Sequence, residues 1–115
     1  METLMKTGWL LALLALTPIT ALAASVTGTL VDGGGIDDMT IVVRAADGRQ
    51  VEAYCAMECG DWFVVDPESE VSVLKKALKG RQVALEYATE ANGDRIAGPD
   101  PDERLRFVKR VRLLP

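Results

Sequence analysis

The sequence predicts a mostly β domain of five strands and one helix, preceded by an export signal. Residues 1–23 have the layout of a secretory signal peptide. Five later segments alternate apolar and polar residues or are rich in β-branched residues, as strands are, and are separated by turn signals. Only residues 67–79 repeat their apolar positions at helical spacing. At 115 residues in all, the chain has room for one small domain, residues 24–115.

The export signal is predicted from charge, an apolar run and small residues, in that order. Lys6 supplies the positive charge, and residues 9–16 form the apolar run. That run is shorter than the roughly 20 residues that cross a bilayer. Ala21 and Ala23 offer small side chains at the two positions that a signal peptidase recognises. We therefore expect cleavage after Ala23, a periplasmic or secreted protein, and no membrane span after cleavage.

Three strands are predicted in the first half of the domain. Residues 25–31 alternate, residues 39–45 are rich in β-branched side chains, and residues 50–55 return after the tight-turn signal at Gly48. A glycine-rich loop is expected between the first two strands, over residues 32–38.

The single helix is predicted over residues 67–79. Asp66 is a suitable N-cap, Pro67 suits the first helical position, and Gly80 is a typical stop. One stripe at positions i, i+3 and i+7 would face the core: Val71, Leu74 and Leu78.

Two strands complete the chain, over residues 82–87 and 104–114. The first alternates cleanly. In the second, Leu105 and Phe107 share one parity, and Val108 breaks it. This slip predicts a β-bulge near Val108.

Three strands, a helix and two strands, at this length, resemble the oligonucleotide/oligosaccharide-binding (OB) fold. The residues that carry the resemblance are 26–30, 41–43, 47–48, 51–54 and 78–87. The chain is also similar, loosely, to the small exported bacterial OB-fold proteins. The resemblance implies a five-stranded Greek-key barrel with one α-helix between strands 3 and 4. A small SH3-like barrel is the alternative, and the long helix counts against it.

Composition narrows the function classes. The chain carries a net charge of −4, with a net of −8 over residues 24–70 and +4 over residues 71–115. This acidic total argues against a dedicated nucleic-acid binder. Histidine, the commonest general base and metal ligand, is absent. Since no paired catalytic carboxylates, nucleophile with a base, or phosphate loop is visible, we expect a non-catalytic protein without a cofactor.

Cys55 and Cys59 are the sharpest local feature. A straight strand would hold them ~13 Å apart, whereas a disulfide needs Cα atoms within about 6.8 Å. A bond therefore demands a turn, which Gly60 favours, and export favours oxidation. The alternative is a copper or redox accessory protein that uses Cys55, Met57 and Cys59 as soft ligands. The acidic neighbours of these cysteines favour a structural disulfide over a redox-active pair. Oxidised cysteines could not bind copper, and no histidine or second sulfur cluster completes a site, so no metal site is expected.

A binding site is expected where OB folds bind, on the face of the second and third strands. Arg44, Glu52 and Tyr54 would lie outward there, and Arg95 would approach from the loop between the last two strands. The sequence thus predicts an exported, non-catalytic binding or accessory protein of the cell envelope. Its partner would be an envelope protein, a glycan or an anionic ligand, and its oligomeric state stays open.

Overall fold

The computed structural model describes residues 22–115, so all but the last two residues of the predicted signal peptide lie outside the described part. Residues 22–115 form seven strands and no helix. Among these residues there is thus no helix that could span a membrane. The strands are β1 Leu22–Gly35, β2 Thr40–Ala45, β3 Gln50–Tyr54, β4 Phe63–Val65, β5 Ser72–Leu74, β6 Gln82–Ala91 and β7 Arg104–Leu113.

Five of these strands close a mixed β-barrel. β1 pairs antiparallel with both β2 and β6, β2 pairs with β3, and β6 pairs with β7. The ring closes through one parallel pairing between β3 and β7, at Tyr54 and Phe107. β5 pairs with the end of β1, and β4 pairs with β5, so these two strands extend the sheet beyond the ring. The architecture is consistent with an OB-like small barrel.

Alternation along the strands fills the barrel interior. Val51 and Ala53 are buried while Glu52 between them is exposed, as the sequence predicts. Full burial of a large aliphatic side chain stabilises the fold by roughly 1.5–3 kcal/mol. The interior cluster consists of Val26, Leu30, Ile41, Val43, Val51, Ala53, Cys55, Cys59, Leu74, Val83, Leu85 and Val108.

The bulge predicted near Val108 is confirmed. Glu86 pairs with Arg110 and the next residue, Tyr87, pairs with Val108, so Lys109 is the extra residue of β7. The bulge reverses the side-chain phase of β7, so that Val108 rather than Phe107 faces the interior, although both are 1% exposed. Val108 belongs to the interior cluster, and Phe107 does not.

The predicted helix over residues 67–79 is wrong: the segment contributes the turn and second strand of the β4–β5 hairpin, followed by further turns. Asp66 caps a turn, because its Oδ1 accepts a hydrogen bond from the Glu68 amide at 3.0 Å. Glu70 has a φ of 61°, which no helix interior permits. The apolar stripe still reaches the core, since Leu74 is buried and Leu78 packs against the cluster.

The glycine-rich segment is a strand up to Gly35, where a loop over residues 32–38 was expected. Gly34 pairs with Thr40 of β2 on one side and with Val73 of β5 on the other. A Cβ atom there would collide with the Ser72 carbonyl, and the φ of +142° disfavours other residues. The glycines therefore permit β1 to join the hairpin to the barrel.

Candidate functional site

An open cleft of about 510 Å³ lies at the barrel end where β2 begins and β3 ends. Three connections border it: residues 36–39 between β1 and β2, residues 55–62 after β3, and residues 92–103 between β6 and β7. The lining is mainly apolar, with two carboxylates and one guanidinium. It comprises Asp37, Asp38, Met39, Cys55, Ala56, Met57, Cys59, Gly60, Phe63 and Arg95.

A disulfide closes the connection after β3, as the sequence predicts. Cys55 and Cys59 are bonded, with their Cα atoms 5.2 Å apart. Ala56 and Met57 both have positive φ, at 44° and 73°, and the Glu58 amide donates to the Cys55 carbonyl at 2.8 Å. This is the geometry of a type I′ turn, which residues with a Cβ rarely adopt. The bond holds that turn and presents Met57, which is 97% exposed, at the rim of the cleft.

The same bond bears on the alternative of a copper or redox site at Cys55, Met57 and Cys59. A cysteine binds a metal ion as its thiolate, and here the two cysteine sulfurs are bonded to each other. Each cysteine is only 4% exposed, so an attacking thiol would have little access to either sulfur. Residues 22–115 contain no cluster of three or more acidic, cysteine or histidine side chains placed to hold a metal ion.

The opposite wall of the cleft is the connection between β6 and β7, which is ordered around Asn92. This side chain is fully buried, and both the oxygen and the nitrogen of its carboxamide form hydrogen bonds. Its Oδ1 accepts from the Ile96 amide at 2.8 Å, and its Nδ2 donates to the carbonyls of Ile96 and Pro99. The backbone N–H of Asn92 also donates a hydrogen bond to the Glu103 carbonyl at 2.7 Å. These bonds fix the loop against the barrel.

Arg95 projects from that loop over Phe107. Its guanidinium carbon lies 3.6 Å from the centroid of the Phe107 ring. Nε donates to the Asn92 carbonyl, Nη2 to the Ala91 carbonyl and Nη1 to a Glu90 carboxylate oxygen. Since three of its five N–H groups are engaged, Arg95 is a fixed wall of the cleft with two donors left.

Glu90 anchors this arrangement. Its carboxylate accepts from Lys109 at 2.7 Å and from Arg95 at 3.1 Å. The hydrogen bond from Lys109, with a smaller contribution from Arg95, holds the pKa of Glu90 below its usual range despite an opposing effect of desolvation. Lys109 is the bulge residue of β7, so the bulge supplies a cation that fixes the loop.

The four residues predicted to bind a ligand are brought together only in part. Arg95 lines the cleft. Tyr54 is not among the lining residues, but its ring lies 6.2 Å from that of Phe107, over which the Arg95 guanidinium lies. Glu52 lines a shallower groove on the outer face of β1, β2 and β5. Arg44 pairs with Gln50 at the far end of β2, roughly 13 Å along the strand from the cleft.

Sequence reasoning missed Asp37, Asp38, Met39 and Phe63 as lining residues. The three connections meet because β1, β3 and β6 end, and β2 and β7 begin, at one end of the barrel. The order of strands in a barrel would have indicated this end, but the side chains that face the cleft follow from loop conformations. Such conformations have no periodic signal.

Comparison of the chain with protein-family models, with curated proteins and with solved structures finds no match.

Proposed function

We propose that this chain is an OB-like barrel that acts as a non-catalytic binding module of the cell envelope and holds a neutral glycan in the cleft. The observation that carries the proposal is the cleft itself, bordered by three connections of one barrel end. OB folds bind oligosaccharides on one barrel face and through the loops beside it. The disulfide supports an oxidising compartment, which the predicted signal peptide would provide.

The lining supports a glycan over the other candidate ligands. Sugar rings present apolar C–H faces, which match Met39 and Phe63, and hydroxyl edges, which match carboxylates and a guanidinium. Asp37 and Asp38 would accept hydrogen bonds from hydroxyl groups, and Arg95 would donate them. The two carboxylates would repel an anionic ligand.

A binding role is proposed in place of catalysis because of the residue types in the cleft. The lining described above contains no nucleophile next to a base, which covalent catalysis requires. Glu52 and Tyr54 would extend the site along the outer face of β3, next to Cys55. Tyr54 can stack on a sugar ring and donate a hydrogen bond through its hydroxyl group.

An array of neutral and acidic oligosaccharides, followed by NMR titration with chitotetraose (neutral) and tetragalacturonate (acidic), tests the proposal. We expect binding on the array to favour neutral glycans. In the titration, chitotetraose should shift the methyl signals of Met39 and Met57, and tetragalacturonate should not. Shifts confined to other surfaces, or a preference for acidic glycans, would refute the proposed ligand and site.

Two substitutions sharpen this test. Asp37→Ala removes an exposed lining carboxylate and should weaken chitotetraose binding about tenfold, the equivalent of roughly 1.4 kcal/mol. Asp102→Ala removes an exposed carboxylate outside the cleft and should leave the affinity unchanged. Equal losses for the two variants would mean that the effect of Asp37 is one of overall charge.

A further inference from the structure

The edge of the extended sheet is formed by β4. In the sheet order β2-β3-β7-β6-β1-β5-β4, with β1 and β2 also paired, β4 has β5 as its sole neighbour among residues 22–115. The five barrel strands have no such edge because the ring is closed.

The register shows which backbone groups of β4 face the open side. The Lys75 amide donates to the Trp62 carbonyl, and the Asp66 amide donates to the Val71 carbonyl. Val64 lies midway between these two bonds and opposite Val73, so its N–H and C=O groups both face β5. Because these groups alternate along an antiparallel strand, the N–H and C=O groups of Phe63 and Val65 point away from the sheet. These four groups can pair with an added strand.

The hairpin also exposes apolar side chains. Val64 is 46% exposed, Val65 is 64% exposed and Val73 is 37% exposed. Val64 and Val73 are cross-strand partners and share one face. β4 contains neither a lysine nor a proline, the residues that commonly protect an edge. The edge is short, apolar and open to pairing.

The segments on both sides of β4 are acidic. Asp61 precedes the strand, Asp66 follows it, and Glu68 and Glu70 lie in the turn to β5. Lys75 partly balances Asp61, with its Nζ at 3.0 Å from the carboxylate. An antiparallel pairing of two copies of β4 would bring Asp61 of one copy next to the Asp66 turn of the other. Such like charges disfavour a second copy and favour a cationic partner.

We propose that β4 accepts an extended polypeptide strand from another protein, with apolar residues in the strand and lysine or arginine on its flanks. The added strand would form main-chain hydrogen bonds with Phe63 and Val65, as in β-augmentation. Its flanking cations would lie near Asp61 and Asp66. The side chain of Phe63 also lines the cleft, but the edge uses the backbone groups of Phe63 and Val65 and does not depend on the proposed glycan ligand.

NMR titration of the mature protein with two synthetic peptides tests the proposal. The first peptide, Lys-Thr-Val-Thr-Val-Thr-Val-Lys, matches the proposed chemistry, and the second carries glutamate in place of both lysines. We expect the lysine peptide to shift the amide signals of Phe63 and Val65 and to slow their hydrogen exchange. The glutamate peptide should bind at least about tenfold more weakly. Equal binding of both peptides, or no shift at Phe63 and Val65 with millimolar lysine peptide, overturns the proposal.

Val65→Pro tests whether the peptide pairs with the open edge of β4. It removes an N–H that faces the open side and leaves the β4–β5 hydrogen bonds in place, since proline is tolerated on edge strands. We expect it to weaken binding of the lysine peptide at least about tenfold. If circular dichroism shows that this variant does not fold, Val65→Lys, which adds a cation at an exposed position, should weaken the same peptide by repulsion. Unchanged binding by a folded variant overturns the proposal.

Sedimentation equilibrium without peptide tests whether a second copy of this chain pairs with β4. We expect a monomer for the wild type and for Val65→Pro. A wild-type dimer that Val65→Pro converts to a monomer would assign the edge to a second copy of this chain, and would overturn the proposal of a foreign strand.

Discussion

The guanidinium carbon of Arg95 lies 3.6 Å from the centroid of the Phe107 ring, on the outside of the barrel. Phe107 is 1% exposed although it stands outside the interior cluster, so the loop that carries Arg95 covers it. The parallel closure of the barrel occurs at the same place, since Phe107 pairs with Tyr54. One arginine thus covers the barrel closure and forms a wall of the cleft.

Replacing Arg95 with alanine should lower the free energy of unfolding by about 1–2 kcal/mol. The variant loses a cation–π contact of roughly 0.5–2 kcal/mol and the hydrogen bonds to the loop carbonyls. Arg44→Ala is the matched control, because Arg44 is an exposed arginine at the far end of β2. It should change stability by less than about 0.5 kcal/mol in urea unfolding. Similar losses of unfolding free energy for both variants would show that the contact of Arg95 with Phe107 does not stabilise the fold.

Asn92→Ala should be more costly, at about 2–4 kcal/mol. It leaves the Ile96 amide and two carbonyl oxygens without their partner in a buried place, and each such loss costs roughly 1–3 kcal/mol before relaxation. Asp102→Ala, an exposed substitution in the same loop, should cost less than about 0.5 kcal/mol. If Asn92→Ala unfolds at the same urea concentration as the wild type, water replaces the amide and the loop does not depend on it.

Much of the barrel could be predicted from alternation, but the β4–β5 hairpin could not. Val51 and Ala53 have one environment and Glu52 another, so strand period and face are encoded in the sequence. The slip at Val108 likewise revealed the bulge. In residues 67–79 the capping and stripe signals are genuine, but Asp66 and Pro67 suit a turn as well as a helix. The pairing of Val73 with Gly34 of β1 stabilises β5 as a strand in place of a helix.

Glu70→Gly distinguishes the hairpin from the helix that the sequence predicts. The φ of 61° at Glu70 strains a residue with a Cβ, so glycine should be neutral or stabilising by up to about 1 kcal/mol. In a helix interior the same change would destabilise by about 1 kcal/mol. Glu68→Gly, in the same turn but without positive φ, should destabilise by about 0.5–1 kcal/mol in thermal or urea unfolding. A loss of stability for Glu70→Gly that matches Glu68→Gly would contradict the turn conformation.

The candidate site shows a different division between what sequence predicts and what it misses. Arg95, predicted from its place in a loop, lines the cleft, and Tyr54, predicted from strand phase, precedes the lining residue Cys55. Their mutual position depends on Phe107, whose outward direction results from the bulge. Arg44 is exposed, as the strand phase predicts, and lies at the end of β2 away from the cleft, a position that alternation does not reveal.

Loss of the disulfide should have a modest effect on stability and a larger one on the cleft. A ring of five residues contributes only about 2 kcal/mol in the loop-entropy model. The double variant Cys55→Ser with Cys59→Ser should therefore fold, with an unfolding free energy lower by about that amount. The positive φ values of Ala56 and Met57 should then relax, which NMR would detect as large shifts at both residues. Mass spectrometry of the native protein should show no alkylatable thiol, and two free thiols would revive the copper alternative.

The ion pairs of Glu90 should make stability depend on pH in the acidic range. Lys109 and Arg95 lower the pKa of Glu90 in the folded protein below the ordinary value of 4.5. The stabilisation is therefore fully present above about pH 4.5 and is lost as the pH falls through the lower folded value. Glu90→Gln, which cannot ionise, should be less stable than the wild type at pH 7, and the difference should shrink below pH 4.5. Lys109→Met removes the main partner and should reduce the same pH-dependent part. Urea unfolding between pH 7 and pH 3 measures both effects, and a difference between wild type and Glu90→Gln that stays constant over this range would contradict the assigned direction.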